Sequence, residues 1–254
     1  MCESGPAGAE HTVLLLPGGL NTARSYAELM AQPALAGVRL VAVTLPGHGG
    51  TPPPEDFTIE HYAQLAAELA ADLGCDAVVG FSIGASVALE MAASGAFKGP
   101  VVLLGPSLSL QDEPAFLRAI DQLGSVLGRL PSAAMLKMIP MAAKHARMSE
   151  DRRAALVADL RKNDPAIMRQ IFRGYLGYLG RHDAPAARLC TAGVPAWVVH
   201  AEKGDGGLTG TERRTLDDCP HTTVITIPGT SYFIPNEEPE RVASCLTEAL
   251  RRAR

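Results

Sequence analysis

The fold of this chain is decided by one short stretch, Ala77-Val78-Val79-Gly80-Phe81-Ser82-Ile83-Gly84. Its first five residues form an apolar run, which is typical of a strand buried on both faces. A helical period follows and predicts a helix over Ile83–Ala93. The pattern Gly-x-Ser-x-Gly between a strand and a helix lets the backbone turn sharply and exposes the Ser82 hydroxyl above the sheet. We therefore predict that Ser82 is a nucleophile and that the backbone N–H of Ile83 stabilises an oxyanion.

Outward from this stretch, apolar runs alternate with helical segments. The alternation favours right-handed βαβ crossovers and a doubly wound, mostly parallel sheet of about six strands. About ten residues precede the first strand, too few for an antiparallel hairpin, so we expect the sheet edge to be covered by something else or by a second subunit. The predicted strands are Thr12–Leu16, Val38–Thr44, Ala77–Phe81, Pro100–Leu104, Ala196–Ala201 and Thr223–Ile227, and the other predicted core helices are Thr58–Leu73 and Pro239–Arg251.

One region lacks strand patterns and is predicted to be all helical. Residues 111–187 would form a cap inserted into a core made of residues 1–110 and 188–254. Such a cap would lie over the carboxyl ends of the strands, where open α/β sheets bind ligands. The predicted cap helices run over about Glu113–Leu130, Ser132–Lys144, Ser149–Lys162 and Pro165–Leu179.

Composition and charge exclude several classes of protein. The chain has 254 residues with 47% hydrophobic and 20% charged side chains, which excludes wholesale disorder. A net charge of −4 gives no electrostatic reason to expect a nucleic acid or a membrane partner. The first residues do not resemble a secretory signal, and five cysteines without metal-ligand spacing favour reduced thiols and a cytoplasmic location. Neither a cofactor nor a metal is indicated by a motif.

With these motifs the chain resembles the α/β-hydrolase fold superfamily along nearly its whole length. The turn Pro17-Gly18-Gly19 is similar to the family's oxyanion loop, which implies that Gly19 supplies the second oxyanion N–H. Leu20, the next residue, is the alternative donor. Residues 45–51 resemble the family's Gly-His-Gly turn, in which His48 has a structural role. After the strand Ala196–Ala201, the resemblance implies a catalytic acid at Asp205, with Glu202 as the alternative.

The chain departs from the family where the catalytic histidine is expected. Tyr232 occupies that position, its flanking residues match the family pattern, and no histidine follows His221. A phenol with a pKa near 10 is almost wholly protonated at neutral pH, so it is a poor general base but a competent proton donor. Asp205 beside it would raise that pKa further. The usual triad chemistry is therefore not available to Ser82, Asp205 and Tyr232.

Four interpretations of the site remain open. Ser82 acts as a nucleophile on an acyl or ester-type substrate with another base, such as His48, His200 or a cap residue. Alternatively, the cleft carries out elimination, for example of acetate, or cyclisation, as in the polyketide pathways in which this fold occurs. The third interpretation is ligand binding without turnover, and the fourth is that Tyr232 is an introduced substitution. The first is the leading interpretation.

The expected partner is a small-molecule substrate, and the sequence is also compatible with a homodimer. The cleft is expected to be mostly apolar and centred on Ser82. The residues that would bind substrate are Leu20, Phe81, Ser107, Tyr175, Tyr178 and Phe233.

Overall fold

The computed structural model describes residues 1–113, 117, 130–142, 144, 146–182, 184–204 and 207–252. Within these residues, seven strands form one sheet in the order β1-β3-β2-β4-β5-β6-β7. Every neighbouring pair is parallel except β1 with β3. The strands are β1 (Cys2–Ser4), β2 (Thr12–Leu16), β3 (Arg39–Ala42), β4 (Ala77–Phe81), β5 (Val101–Leu104), β6 (Ala196–Lys203) and β7 (Thr222–Thr230).

Helices cover both faces of this sheet, as the predicted doubly wound fold requires. The helices predicted over Ile83–Ala93 and Pro239–Arg251 are confirmed with the same bounds. The described α-helices are α1 (Ala27–Met30), α2 (Ile59–Asp72), α3 (Ile83–Ala93), α4 (Leu130–Ala142), α5 (Glu150–Leu160), α6 (Pro165–Arg181), α7 (Pro185–Ala192), α8 (Gly210–Asp217), α9 (Ile234–Glu237) and α10 (Pro239–Arg251).

The strand β1 was not predicted, and it corrects the expected count of six. It pairs antiparallel with β3, with Cys2 opposite Ala42, and so covers the edge that the sequence left open. β3 lies between β1 and β2 in the sheet, so the segment that joins β1 to β2 passes over the end of β3 and no tight hairpin is needed. Gly5 permits this crossing: its φ is +83°, and a β carbon there would lie 2.0 Å from the Val38 carbonyl oxygen.

The core is divided by the sheet into two apolar layers. Along β2, Leu14 and Leu16 belong to one layer, whereas Val13 and Leu15 belong to the other. This division follows from the pleat, since successive side chains point to opposite faces of a strand. All of β2 is buried, which accounts for its uninterrupted apolar sequence.

Four described helices, α4 to α7, lie between β5 and β6. Three of them agree with the predicted cap helices to within a few residues at each end. The remaining predicted segment, Glu113–Leu130, falls mostly on residues outside the described part of the chain. The division into a core and an inserted cap stays a prediction.

The expectation that all cysteines are reduced is wrong for one pair. Cys190 of α7 and Cys219, which follows α8, form a disulfide with a Cα–Cα distance of 5.6 Å. The two residues are 29 positions apart, so their proximity comes from the packing of α7 on α8 rather than from a local motif. No helix in the described ranges is long and apolar enough to cross a membrane.

Candidate active site

The candidate site lies where the strand order of the sheet reverses. The chain runs outward from β2 to β3 and then returns to the other side of β2 to form β4. The carboxyl ends of β2 and β4 are therefore neighbours, with Leu16 opposite Gly80. Such a reversal leaves a crevice between the two following loops, and open α/β sheets bind ligands there.

Ser82 lies in this crevice in a strained backbone conformation. Its φ is +51° and its ψ is −116°, a region that residues with a side chain rarely adopt. The flanking glycines are sterically required, because a β carbon on Gly80 would lie 2.1 Å from the Gly84 carbonyl oxygen. One on Gly84 would lie 2.3 Å from the carbonyl oxygen of Leu16. The Ser82 N–H donates to the carbonyl of Leu104 in the neighbouring strand β5 at 2.9 Å, which holds the bend in place. The serine remains partly exposed.

The predicted oxyanion loop packs directly against this bend. A β carbon on Gly19 would lie 2.6 Å from Cδ1 of Ile83, so the Gly19 backbone is next to the first residue of α3. The N–H groups of a first helical turn have no partner within the helix, and the positive end of the helix dipole lies there. Phe81 is buried with its ring against Gly18, and Leu20 is buried with a φ of +65°.

The loops that follow β6 and β7 contact each other. Glu202 accepts a hydrogen bond from the Gly229 N–H at 2.7 Å, and its side chain is exposed. A β carbon on Gly204 would lie 2.6 Å from the Ser231 carbonyl oxygen, which shows how closely the loops pack. Asp205, the predicted catalytic acid, lies outside the described residues, so its role stays a prediction.

Tyr232 follows β7, as predicted, and its side chain is 43% exposed. Its backbone N–H and that of Phe233 both donate to Oε1 of Glu237, at 3.3 and 3.1 Å. The Glu237 side chain is 1% exposed and its Oε2 lies 3.5 Å from Nε of Arg147. The position of the Tyr232 backbone is therefore set by a buried carboxylate, while Phe233 packs on the core.

Neither histidine suggested as a replacement base hydrogen-bonds Ser82 in the described part of the chain. His48 is fully buried, its Nδ1 lies 3.1 Å from the Pro46 carbonyl oxygen, and burial lowers its pKa to about 4. His200 has both ring nitrogens occupied, by the Ala201 carbonyl at 3.1 Å and by the Thr226 hydroxyl at 2.9 Å. These contacts indicate structural roles for both rings.

The sequence matches a known protein family. The sequence model described as the alpha/beta hydrolase family matches residues 13–244.

The chain belongs to the alpha/beta hydrolase family.

Three solved structures show the same fold. MenH from S. aureus is 16% identical, with a TM-score of 0.76 and coverage of 98% of this chain and 97% of MenH. A hydrolase from Oleispira antarctica is 15% identical, with a TM-score of 0.73 and coverage of 98% and 93%. A thermophilic esterase from Thermogutta terrifontis is 18% identical, with a TM-score of 0.70 and coverage of 99% and 92%. None of the curated proteins compared with this chain matches it.

Two of the predicted substrate-binding residues meet a carboxylate in this alpha/beta hydrolase. Ser107, which follows β5, and Tyr175 of α6 both donate to Oε1 of Glu113, at 2.5 and 2.6 Å. Tyr175 is 2% exposed, and burial, reinforced by the Glu113 charge, raises the pKa of its phenol well above the ordinary value. Tyr175 is therefore a neutral hydrogen-bond donor at physiological pH.

Tyr178 has a different environment. It is 1% exposed and its hydroxyl donates to Oε2 of Glu90 at 3.0 Å. Glu90 lies on α3 and is also held by Arg188 of α7 through two hydrogen bonds of 2.6 and 3.0 Å. Tyr178 therefore joins α6 to the helix that follows Ser82, and its hydroxyl is already engaged.

Sequence reasoning missed three polar residues next to this site: Glu113, Asn163 and Glu237. Glu113 and Asn163 have partners distant in sequence; Asn163, for example, hydrogen-bonds Leu20, which lies 143 positions away. Glu237 hydrogen-bonds the backbone of Tyr232 and Phe233, which lie five and four positions away. Asn163 has a local signal, because Asn163-Asp164-Pro165 forms a break between the predicted helices Ser149–Lys162 and Pro165–Leu179. Groups of His, Cys, Asp and Glu suited to holding a metal are absent from the described residues.

Proposed function

We propose that this alpha/beta hydrolase is an enzyme that acts on an acyl or ester-type group of a small or medium-sized molecule, with Ser82 as nucleophile. The backbone of Ser82 carries the proposal, since its φ of +51° is unfavourable for a residue with a side chain. Two glycines that tolerate no β carbon surround it. This arrangement presents one hydroxyl group, partly exposed, at the amino end of a helix.

The geometry supports the first half of an acyl transfer. The Ser82 oxygen would attack the carbonyl carbon, and the carbonyl oxygen would become an oxyanion. Backbone N–H groups of Gly19 and Ile83 would stabilise that charge, as the helix dipole does. The bond to the leaving oxygen then breaks, leaving an acyl-serine, and the hydroxyl proton passes to a base or to water. A water molecule would later cleave the acyl-serine and restore the hydroxyl.

We propose Asp205 and Tyr232 as the other members of an altered catalytic set. A protonated phenol can donate to the leaving oxygen, but it removes a proton from water poorly. Attack on the acyl-serine needs an activated water molecule, so this second half should be slow. Acyl groups would then remain on Ser82 for longer than in an enzyme with a histidine base.

A lyase or cyclase is the second candidate function. The observation that favours it is the set of phenols that donate rather than accept protons, namely Tyr232 at the base position and Tyr175 with its raised pKa. In an elimination, the oxyanion donors would stabilise an enolate, and Ser82 and Tyr232 would move protons without an acyl-serine. Ligand binding without turnover is the third candidate.

The test is the intact mass of the protein after brief exposure to p-nitrophenyl acetate. This ester suits the purpose because its leaving group departs without a proton donor. We expect the mass to rise by one acetyl group, to remain raised for longer than the exposure, and to be unchanged in Ser82→Ala. Tyr232→His is expected to speed loss of the acetyl group by about 10²–10⁴-fold, the usual contribution of a general base.

The matched control is Tyr232→Phe, which removes only the hydroxyl. If Tyr232 has lost the role of base, the phenylalanine variant should release acetyl as slowly as the parent protein. Absence of both an adduct and release of p-nitrophenolate on folded protein would exclude the acyl mechanism and favour a lyase or a binding protein. An equal adduct on Ser82→Ala would show that another nucleophile reacts.

A further inference from the structure

We propose that Asn163 is a positioning residue that holds the oxyanion loop in its working geometry. Asn163 lies between α5 and α6, in the segment predicted to be the cap, whereas the loop it holds follows β2. The inference rests on the proposed function, because it assigns the loop a role in acyl chemistry at Ser82.

Both ends of the Asn163 amide contact loops beside the site. Its Nδ2 donates to the Leu20 carbonyl at 2.9 Å, and its Oδ1 accepts from the Gly49 N–H at 2.8 Å. The Nδ2 also donates to the Leu160 carbonyl at 2.8 Å. The residue is 5% exposed, so water does not replace these contacts. The amide offers a donor and an acceptor together, which an isosteric carboxylate or alkyl group does not.

The bond to Leu20 completes a series along the oxyanion loop. The Gly18 carbonyl accepts from the Asn21 N–H at 3.1 Å, and the Gly19 carbonyl accepts from Nδ2 of Asn21 at 3.1 Å. The Leu20 carbonyl accepts from Asn163. Three successive carbonyl groups are thus fixed, two from within the loop and one from outside it.

Fixing a carbonyl also fixes the N–H of the next residue, because both lie in one planar peptide unit. The Gly18 carbonyl therefore sets the direction of the Gly19 N–H, and the Gly19 carbonyl sets that of Leu20. Leu20 has a φ of +65°, which is unfavourable for a residue with a side chain, so an external restraint is needed to hold the turn. Asn163 supplies that restraint at the strained residue itself.

A second contact ties the same loop to the same segment. The Thr22 hydroxyl donates to Oδ2 of Asp159 at 2.8 Å, and Nζ of Lys162 lies 2.6 Å from Oδ1. Although burial acts to raise it, the pKa of Asp159 is lowered overall by the hydrogen bonds from Lys162 and Thr22. A charged carboxylate thus holds the loop at Thr22 while Asn163 holds it at Leu20.

The expected effect falls on the reaction step rather than on substrate binding. An oxyanion donor contributes most when the negative charge forms, and loss of one donor typically costs about 10²–10³-fold in rate. Displacing a donor without removing it should cost less, on the order of 10–100-fold. Ground-state affinity depends little on this loop, so it should change by less than about threefold.

The test compares Asn163→Asp and Asn163→Leu with the neighbouring control Asp164→Ala. Asn163→Asp keeps the acceptor for Gly49 but loses the donor to Leu20, with almost no change of shape. Asp164 caps α6 and is exposed, so its removal perturbs the same helix without touching the oxyanion loop. The measurements are the saturating rate constant and half-saturation for acetylation of Ser82, together with hydrogen–deuterium exchange of residues 17–22.

We expect both Asn163 variants to lower the saturating rate constant by on the order of 10–100-fold, with little change in half-saturation. Exchange of residues 17–22 should rise in both variants and stay at the parent rate in Asp164→Ala. An unchanged rate constant in folded Asn163→Asp overturns the proposal, as does unchanged exchange in that segment. If the parent protein is not acetylated at all, the proposed function fails, and the exchange of residues 17–22 still decides whether Asn163 holds the loop.

Discussion

The burial of His48 predicts how the stability of the protein depends on pH. The ring is fully buried, its Nδ1 lies 3.1 Å from the Pro46 carbonyl oxygen, and it packs edge-on against Tyr62. Burial disfavours the charged imidazolium and lowers the pKa of His48 to about 4, from an ordinary value of 6.5. In the unfolded chain the same ring is exposed to water and protonates near the ordinary value.

The magnitude follows from the difference between the two pKa values. As the pH falls below about 6.5, the unfolded chain takes up a proton that the folded protein does not, so the free energy of unfolding decreases. The decrease ends near pH 4, where the folded ring protonates as well. A difference of about 2.5 units at about 1.4 kcal/mol per unit gives a loss of about 3 kcal/mol across this window. Above pH 6.5 the contribution is fully present.

The assay is urea unfolding at a series of pH values between 7.5 and 4 for the parent protein and His48→Asn. The asparagine amide can still donate to the Pro46 carbonyl but does not titrate. The variant therefore separates the effect of protonation from the effect of losing the hydrogen bond. The parent protein should lose about 3 kcal/mol more than the variant between pH 6.5 and 4. Curves for the parent and His48→Asn that stay parallel within about 1 kcal/mol would refute this reasoning.

Two further predictions concern stability away from Ser82. The Cys190–Cys219 disulfide closes a loop of 29 residues and should stabilise the oxidised protein by about 3–4 kcal/mol on the loop-entropy model. The measurement is the free energy of unfolding in urea with and without a reductant. Identical midpoints would show that the pair does not constrain the unfolded chain. Glu90→Ala should cost about 3 kcal/mol in the same assay, because it leaves the Arg188 guanidinium and the Tyr178 hydroxyl without their buried partner. A cost below about 1 kcal/mol would mean that water replaces the carboxylate.

The strands and the turn at Ser82 could be predicted because their signals are local. The strands Thr12–Leu16 and Ala77–Phe81 were predicted with the bounds that the structure has. Burial on both faces removes polar alternation from a parallel strand, so each one appears in the sequence as a continuous apolar run. The turn at Ser82 is marked by a glycine two positions before and another two positions after the serine, so the pattern is visible within five residues, although the steric need at Gly84 comes from Leu16 of β2.

Features built by distant residues could not be predicted in the same way. β1 has only three residues, too few for a periodic pattern, and its place depends on pairing with β3. The contacts of Glu113 with Tyr175 and of Asn163 with Leu20 join segments 62 and 143 positions apart. A single sequence gives residue types but not the packing of α4 to α7 on the sheet, and that packing selects which polar groups meet.

The site has an asymmetry that limits its chemistry. The groups proposed to stabilise a negative oxygen are backbone N–H groups, at Gly19 and Ile83, which do not titrate. Fewer groups are placed to remove a proton, because His48 is held neutral in the interior and His200 is hydrogen-bonded at both nitrogens. The phenol of Tyr232 is proposed as a proton donor instead. Reactions that need charge stabilisation and a proton donor, but no strong base, therefore suit this arrangement best, and acylation by an activated ester is the simplest member of that class.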